Sequence, residues 1–78
     1  MSNIEFLKNL EEAIETESGA ITGETNFKDL EKWDSLAALS VIAMIDEVYN
    51  VSIGGNDLEK SEKVDDLWNI ILNKRGVQ

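Results

Sequence analysis

A hydroxyl without a partner base is the first chemical fact of this sequence. Among 78 residues there is no His and no Cys, so neither a Ser–His nor a Cys–His pair can be assembled, and metal sites built on imidazole or thiolate are absent. Carboxylates are abundant, but catalysis by a carboxylate pair needs one member desolvated in a cleft. Here the acids fall mainly on helix faces expected to meet water. No G-x-x-x-x-G-K-[ST] phosphate loop and no D-x-[DN]-x-[DN]-G calcium loop occurs. The acids between Asp57 and Asp66 lack the calcium spacing and read as solvated helix ends. Intrinsic enzymatic activity is therefore not expected. What remains is Ser35, directly after Asp34, where a helix should begin. The first-turn amides and the dipole of a helix favour an anion, so a phosphate esterified to that hydroxyl would sit in a stabilising field. Serine is also common at helix starts for structural reasons alone, and position by itself leaves both readings open.

The elements that must position Ser35 are helical. Pro is absent and apolar residues recur mainly at three and four positions, which predicts an all-α chain, a small four-helix bundle. The first helix is expected from about Asn3 to Glu15, opened by a capping box of Ser2 and Glu5. Leu7, Leu10 and Ile14 form its stripe, widened by Phe6 and Ala13, with Glu11, Glu12 and Glu15 facing water. A long loop runs next, from about Thr16 to Trp33, punctuated by Gly19, Gly23 and Asn26. A loop of that length is functional or pinned to the core, and Phe27, Leu30 and Trp33 are the expected pins.

The second helix is expected from about Ser35 to Tyr49 with Asp34 as N-cap. Ala38, Val41, Ile42, Ile45 and Tyr49 form its core side; Leu36, Ala37, Ser40, Met44 and Glu47 form the other. Asn50 to Gly55 is a bend. Val51 and Ile53 within it have strand character but no partner strand. A short helical turn is expected from about Asp57 to Ser61, and a last helix from near Asp65 to near Lys74. Val64, Leu67, Trp68 and Ile71 make the apolar stripe of that helix, and Gly76 is its stop.

Sixteen acids against seven bases give a formal net charge of -9. Such a chain is repelled by nucleic acid and anionic membranes and attracted to basic patches on proteins. At 42% hydrophobic residues it is no disordered acidic tail. Its length predicts a single domain over 1–78. No stretch resembles a signal peptide or reaches bilayer-spanning length, so a cytoplasmic monomer without membrane insertion is the expectation.

Trp33-Asp34-Ser35-Leu36 resembles the D-S-L motif of the acyl carrier protein family. The surroundings extend the likeness. Phe27, Asp29 and Leu30 resemble the segment before the family's serine. Leu39, Ile42, Met44, Ile45, Asp46, Glu47 and Tyr49 resemble its second helix. Val51 and Ile53 resemble the apolar residues after that helix. Glu62, Lys63, Val64, Leu67 and Ile71 resemble the entry and core of the family's final helix. The resemblance covers nearly the whole chain and is strongest from Phe27 to Ile71.

It implies a 4'-phosphopantetheine arm from coenzyme A on Ser35, with Asp34 and Leu36 flanking it, loaded by a phosphopantetheinyl transferase. It further implies acyl groups held as thioesters, and acyl or aminoacyl ligases, acyltransferases and synthases with basic patches as partners. Leu36, Met44, Asp46 and Glu47 are the expected recognition residues. Shelter for the acyl chain near Ile42, Ile45 and Val64 is a further implication, with Gly54 and Gly55 as the hinge.

The chain departs from the family's fatty-acid carriers at three places. Ala37 stands where Asp or Gly is usual, Ser40 where Glu is usual, and Leu30-Glu31-Lys32-Trp33 replaces a shorter approach containing Gly. Fewer helix charges imply different partners, so a specialised carrier in fatty-acid, lipid or secondary-metabolite biosynthesis is expected. An aminoacyl or peptidyl carrier, or an unmodified interaction module of the same fold, stays open as an alternative.

Overall fold

The protein is described by a computed structural model over residues 4–76. Four α-helices occur among these residues: α1 (Ile4–Ile14), α2 (Ser35–Tyr49), α3 (Gly55–Lys60) and α4 (Val64–Arg75). A single 3-10 turn, Phe27–Asp29, interrupts the loop between α1 and α2. The expected all-helical fold with a long first loop is what forms. The expected cap at Ser2 lies outside the described residues.

α1 and α2 are antiparallel. Near the start of α1, Asn9 Nδ2 donates to Tyr49 Oη at the end of α2, 3.3 Å away. At the other end, Ala13 and Ile14 line the same hollow as Leu36 and Ala37. Phe6, Tyr49 and Trp68 form a three-ring cluster, with centroids 5.8 Å apart for Phe6–Tyr49, 4.9 Å for Phe6–Trp68 and 5.5 Å for Tyr49–Trp68. Aromatic pairs at these separations add to their burial, and this cluster joins α1, α2 and α4.

Phe6, Leu10, Phe27, Val41, Ile45, Val64, Leu67 and Ile71 are fully enclosed in one core. The α4 stripe agrees with expectation. The α1 stripe is rotated: Phe6, Leu10 and Ile14 are buried and Leu7 only partly. Glu11 corrects the reading that it faces water, because it is buried on the same side of α1. On α2, Ala37 is buried, contrary to the outer position expected of it. Met44 is half-buried and packs against the core instead of standing free.

The long loop is held at three levels. Glu11 Oε2 accepts from Gly19 N at 2.8 Å and from Ile21 N at 3.3 Å. Phe27 plugs the core, and Trp33 packs edge-on against it at 5.1 Å. At the far end the loop carbonyls of Thr25 and Gly23 accept from Val64 N at 3.0 Å and Asp65 N at 2.9 Å. A helix opens with amides that have no intrahelical acceptor, so the loop satisfies α4 while α4 fixes the loop. Asp66 Oδ2 completes that end by accepting from Lys63 N at 3.0 Å and Glu62 N at 3.1 Å.

α3 begins at Gly55 and ends at Lys60, somewhat before the turn expected at Asp57–Ser61. Asp57 Oδ2 accepts from Gly54 N at 3.1 Å and lies 3.4 Å from Lys74 Nζ, tying α3 to α4. Val51 and Ile53 are buried without forming a strand. Their side chains plug the core where the chain crosses from α2 to α3. Asn50 turns the chain out of α2 in the left-handed conformation (φ 57°), which Asn tolerates better than most residues.

Candidate phosphopantetheine site

Ser35 is the first residue of α2 and is exposed. Its position follows from Asp34, whose extended backbone stops the helix from starting earlier and whose Oδ1 accepts from Ala37 N at 2.7 Å. The Asp34 carbonyl accepts from Ala38 N at 2.9 Å. Two of the helix's opening amides are thereby used. Among the described residues, no hydrogen bond engages Ser35 Oγ or the amides of Ser35 and Leu36.

The hydroxyl is therefore accessible, and the two amides nearest it remain available to an anion. Lys32 lines the hollow that Asp34 and Leu36 border and brings a positive charge to the same end of α2. An ester-linked phosphate fits this position: oxygen to carry it, free donors beside it, and a cation at its rim. Trp33 is turned onto Phe27 and supports the loop beneath the site.

The expected recognition residues divide. Leu36 is 72% exposed, and Asp46 and Glu47 are exposed further along α2. Met44 is withdrawn towards the bundle. Leu39, 63% exposed, supplies an outward apolar group that is missing from the expected recognition set. Its signal is present in the chain: Leu36 and Leu39 are three apart and share a helix face. Leu39 enters the likeness to the family's second helix without being assigned a face.

No group of His, Cys, Asp and Glu side chains able to hold a metal ion occurs among the described residues. No described helix is long and apolar enough to cross a membrane.

Over residues 5–71 the chain matches the family model described as the phosphopantetheine attachment site. Among solved structures it is similar to the holo acyl carrier protein of Geobacter metallireducens, determined by solution NMR. The two share 25% identity with a TM-score of 0.76, covering 97% of this chain and 88% of that one. No curated protein matches the sequence at a significant level. A family match across most of the chain, on a four-helix fold shared with a holo acyl carrier protein, places this chain in the phosphopantetheine-attachment family as a carrier protein with a covalently attached 4'-phosphopantetheine.

Proposed function

We propose that Ser35 is the attachment point and that the chain carries acyl intermediates for a dedicated biosynthetic pathway in the cytoplasm. The observation that supports this most directly is the state of Ser35: exposed, first in α2, its hydroxyl free of any hydrogen bond among the described residues. In loading, Ser35 Oγ attacks the pantetheine-side phosphorus of coenzyme A. The new O–P bond forms as the pyrophosphate bond breaks and 3',5'-ADP leaves. With no His in the chain, the base that takes the hydroxyl proton comes from the phosphopantetheinyl transferase.

When bound, the group supplies a terminal thiol on a flexible tether, which holds an acyl group as a thioester. The protein's own residues contribute position and address. Asp34 fixes where α2 begins, the Ser35 and Leu36 amides and Lys32 favour the phosphate, and Leu36 and Leu39 offer apolar contact. Asp46 and Glu47 offer negative charge to basic rims on ligases, acyltransferases and synthases. Tethering raises the effective concentration of cargo at each partner.

The test is intact mass before and after incubation with coenzyme A, magnesium and a broad-specificity phosphopantetheinyl transferase. One added phosphopantetheinyl group, absent in Ser35→Ala, is expected. The same gain in Ser35→Ala would move the attachment elsewhere.

A further inference from the structure

α1 and α2 meet along two seams. One is filled by α4, where Phe6 and Tyr49 close onto Trp68. Along the other, two hollows lie between the helices. The larger, about 280 Å³, is bordered by Asn9 and Glu12 of α1 and by Met44, Glu47 and Val48 of α2. The smaller, about 150 Å³, lies towards Ile14, Leu36 and Ala37. Ala13 and Ser40 border both, so the hollows are continuous, and these small side chains leave the seam open to close approach.

This seam is set apart from the candidate attachment point. At about 100° per residue, Ser40, Met44 and Val48 stand about 140–180° round α2 from Ser35 and about 100–180° from Leu39. Leu36 borders both surfaces; the rest of the seam belongs to a different flank.

Its shape and chemistry describe an occupant. Val48 is 48% exposed at one end and Leu36 72% exposed at the other, with half-buried Met44 between them. From Leu36 to Val48 α2 rises about 18 Å, the length of some three helical turns. A third helix laid along two packed helices fits such a seam. Glu12 on α1 and Glu47 on α2 both border the larger hollow, and neither makes an ion pair among the described residues. No base borders that hollow, while Lys32 stands at the far end with Glu15 and Asp34. An acidic rim selects for Lys or Arg beside the partner's apolar stripe. A second copy of this chain fits poorly, because it brings a net charge of -9 against the same carboxylates.

We propose that the open α1–α2 seam is a second docking surface, which takes an amphipathic helix of a partner protein with Lys or Arg flanking its apolar stripe. A partner seated there holds the carrier while another protein works on the arm. That simultaneous use rests on attachment at Ser35, whereas docking itself does not.

The probe is a helical peptide of about fourteen residues, long enough for the seam, with Leu on one face and Lys on both flanks. Its binding is followed by NMR of the labelled protein. The largest shift changes are expected at Asn9, Ala13, Ser40, Met44 and Val48, exceeding those at Leu39, Ala43 and Asp46. Glu12→Lys should weaken binding about fivefold and Val48→Glu at least as much, while Leu39→Ala leaves it unchanged. Both seam variants alter exposed residues and should keep the parental unfolding midpoint. A matched peptide with Glu in place of Lys should not bind.

Shift changes centred on Leu39 and Ala43, parental affinity in both seam variants, equal binding of the Glu peptide, or no binding at all would overturn the seam. Loading of Ser35 by a phosphopantetheinyl transferase, read by intact mass, should run at the parental rate with the Lys peptide at saturation. Loading that the peptide blocks would overturn the independence of the two surfaces. A protein that gains no arm with or without the peptide would instead overturn the attachment reading and leave the docking result standing.

Discussion

The Glu11 carboxylate, itself only 6% exposed, accepts the Gly19 amide at 2.8 Å and the Ile21 amide at 3.3 Å. One acidic side chain on α1 thus gathers the start of the long loop, and Ile21 reaches the core beside it. Removing this acceptor leaves two amides to find new partners, one of them on a buried residue. Glu11→Ala is expected to lower stability by about 1–3 kcal/mol, the usual cost of orphaned buried polar groups. Glu11→Gln, which keeps an acceptor, should lose less. Urea unfolding of the two variants checks the order, and equal stability of Glu11→Ala and the parent would remove this role.

Acid should weaken the molecule at the start of α3 and of α4. The Gly54 amide donating to Asp57, with help from Lys74 and Lys60, holds the Asp57 carboxyl below its ordinary value. The Lys63 and Glu62 amides do the same for Asp66. A depressed folded-state pKa gives stability that is present above the unfolded value and lost as pH falls through the folded one. The loss therefore belongs below the ordinary Asp value of about 4. Asp57→Asn and Asp66→Asn should flatten stability against pH in that window and leave the neutral-to-alkaline region unchanged in slope. Urea midpoints measured from about pH 2.5 upward, a range that spans the window, would show this.

Asp34 both caps α2 and defines where Ser35 stands. Asp34→Ala should cost about 1 kcal/mol, typical of a lost N-cap, and Asp34→Ser should recover most of it. Thermal unfolding followed by circular dichroism reads the effect. A cost no greater than that of an exposed surface substitution would mean that the 2.7 Å bond to Ala37 N contributes nothing.

Leu36 and Leu39 are exposed and touch little of the core. Leu36→Ala and Leu39→Ala should change stability by less than about 0.5 kcal/mol, while slowing loading by a phosphopantetheinyl transferase. Loading at the parental rate in both variants would show that the partner does not read this face.

Glu15 leaves α1 with φ 63°, a left-handed conformation that side chains disfavour. Glu15→Gly removes that penalty but loosens the unfolded chain, so a net gain of up to about 1 kcal/mol is expected. The comparison with Glu15→Ala, which keeps the penalty, isolates the backbone effect in the same unfolding assay.

Much of this architecture is local and therefore visible along the chain. Asp34 before Ser35 marks a helix start because capping involves residues three apart, and α2 spans Ser35–Tyr49 as expected. Val64, Leu67, Trp68 and Ile71 repeat at helical spacing and are all buried. Gly76, in the left-handed conformation, ends α4 for a reason carried by one residue. The motif around Ser35 is contiguous, so the candidate attachment site needs no folded chain to be noticed.

Other features depend on residues that meet only after folding. Glu11 looks solvent-bound because an acid is costly to bury. It is buried because Gly19 and Ile21 bring two amides to it, and no helical period encodes that. Thr25 and Gly23 accept the opening amides of α4 from some forty residues away, a match of loop carbonyls to helix donors set by tertiary approach. Met44 turns inward and Leu39 outward because α2 packs against α1 on one side and the core on another. The chain alone is enough to read the order of the helices, the Asp34 cap, the Gly76 stop and the serine. Only the tertiary structure decided which acid is buried, what holds the loop, and which of the α2 apolar residues face outward. Caps and periods act within a few residues, whereas burial and grooves exist only where distant helices meet.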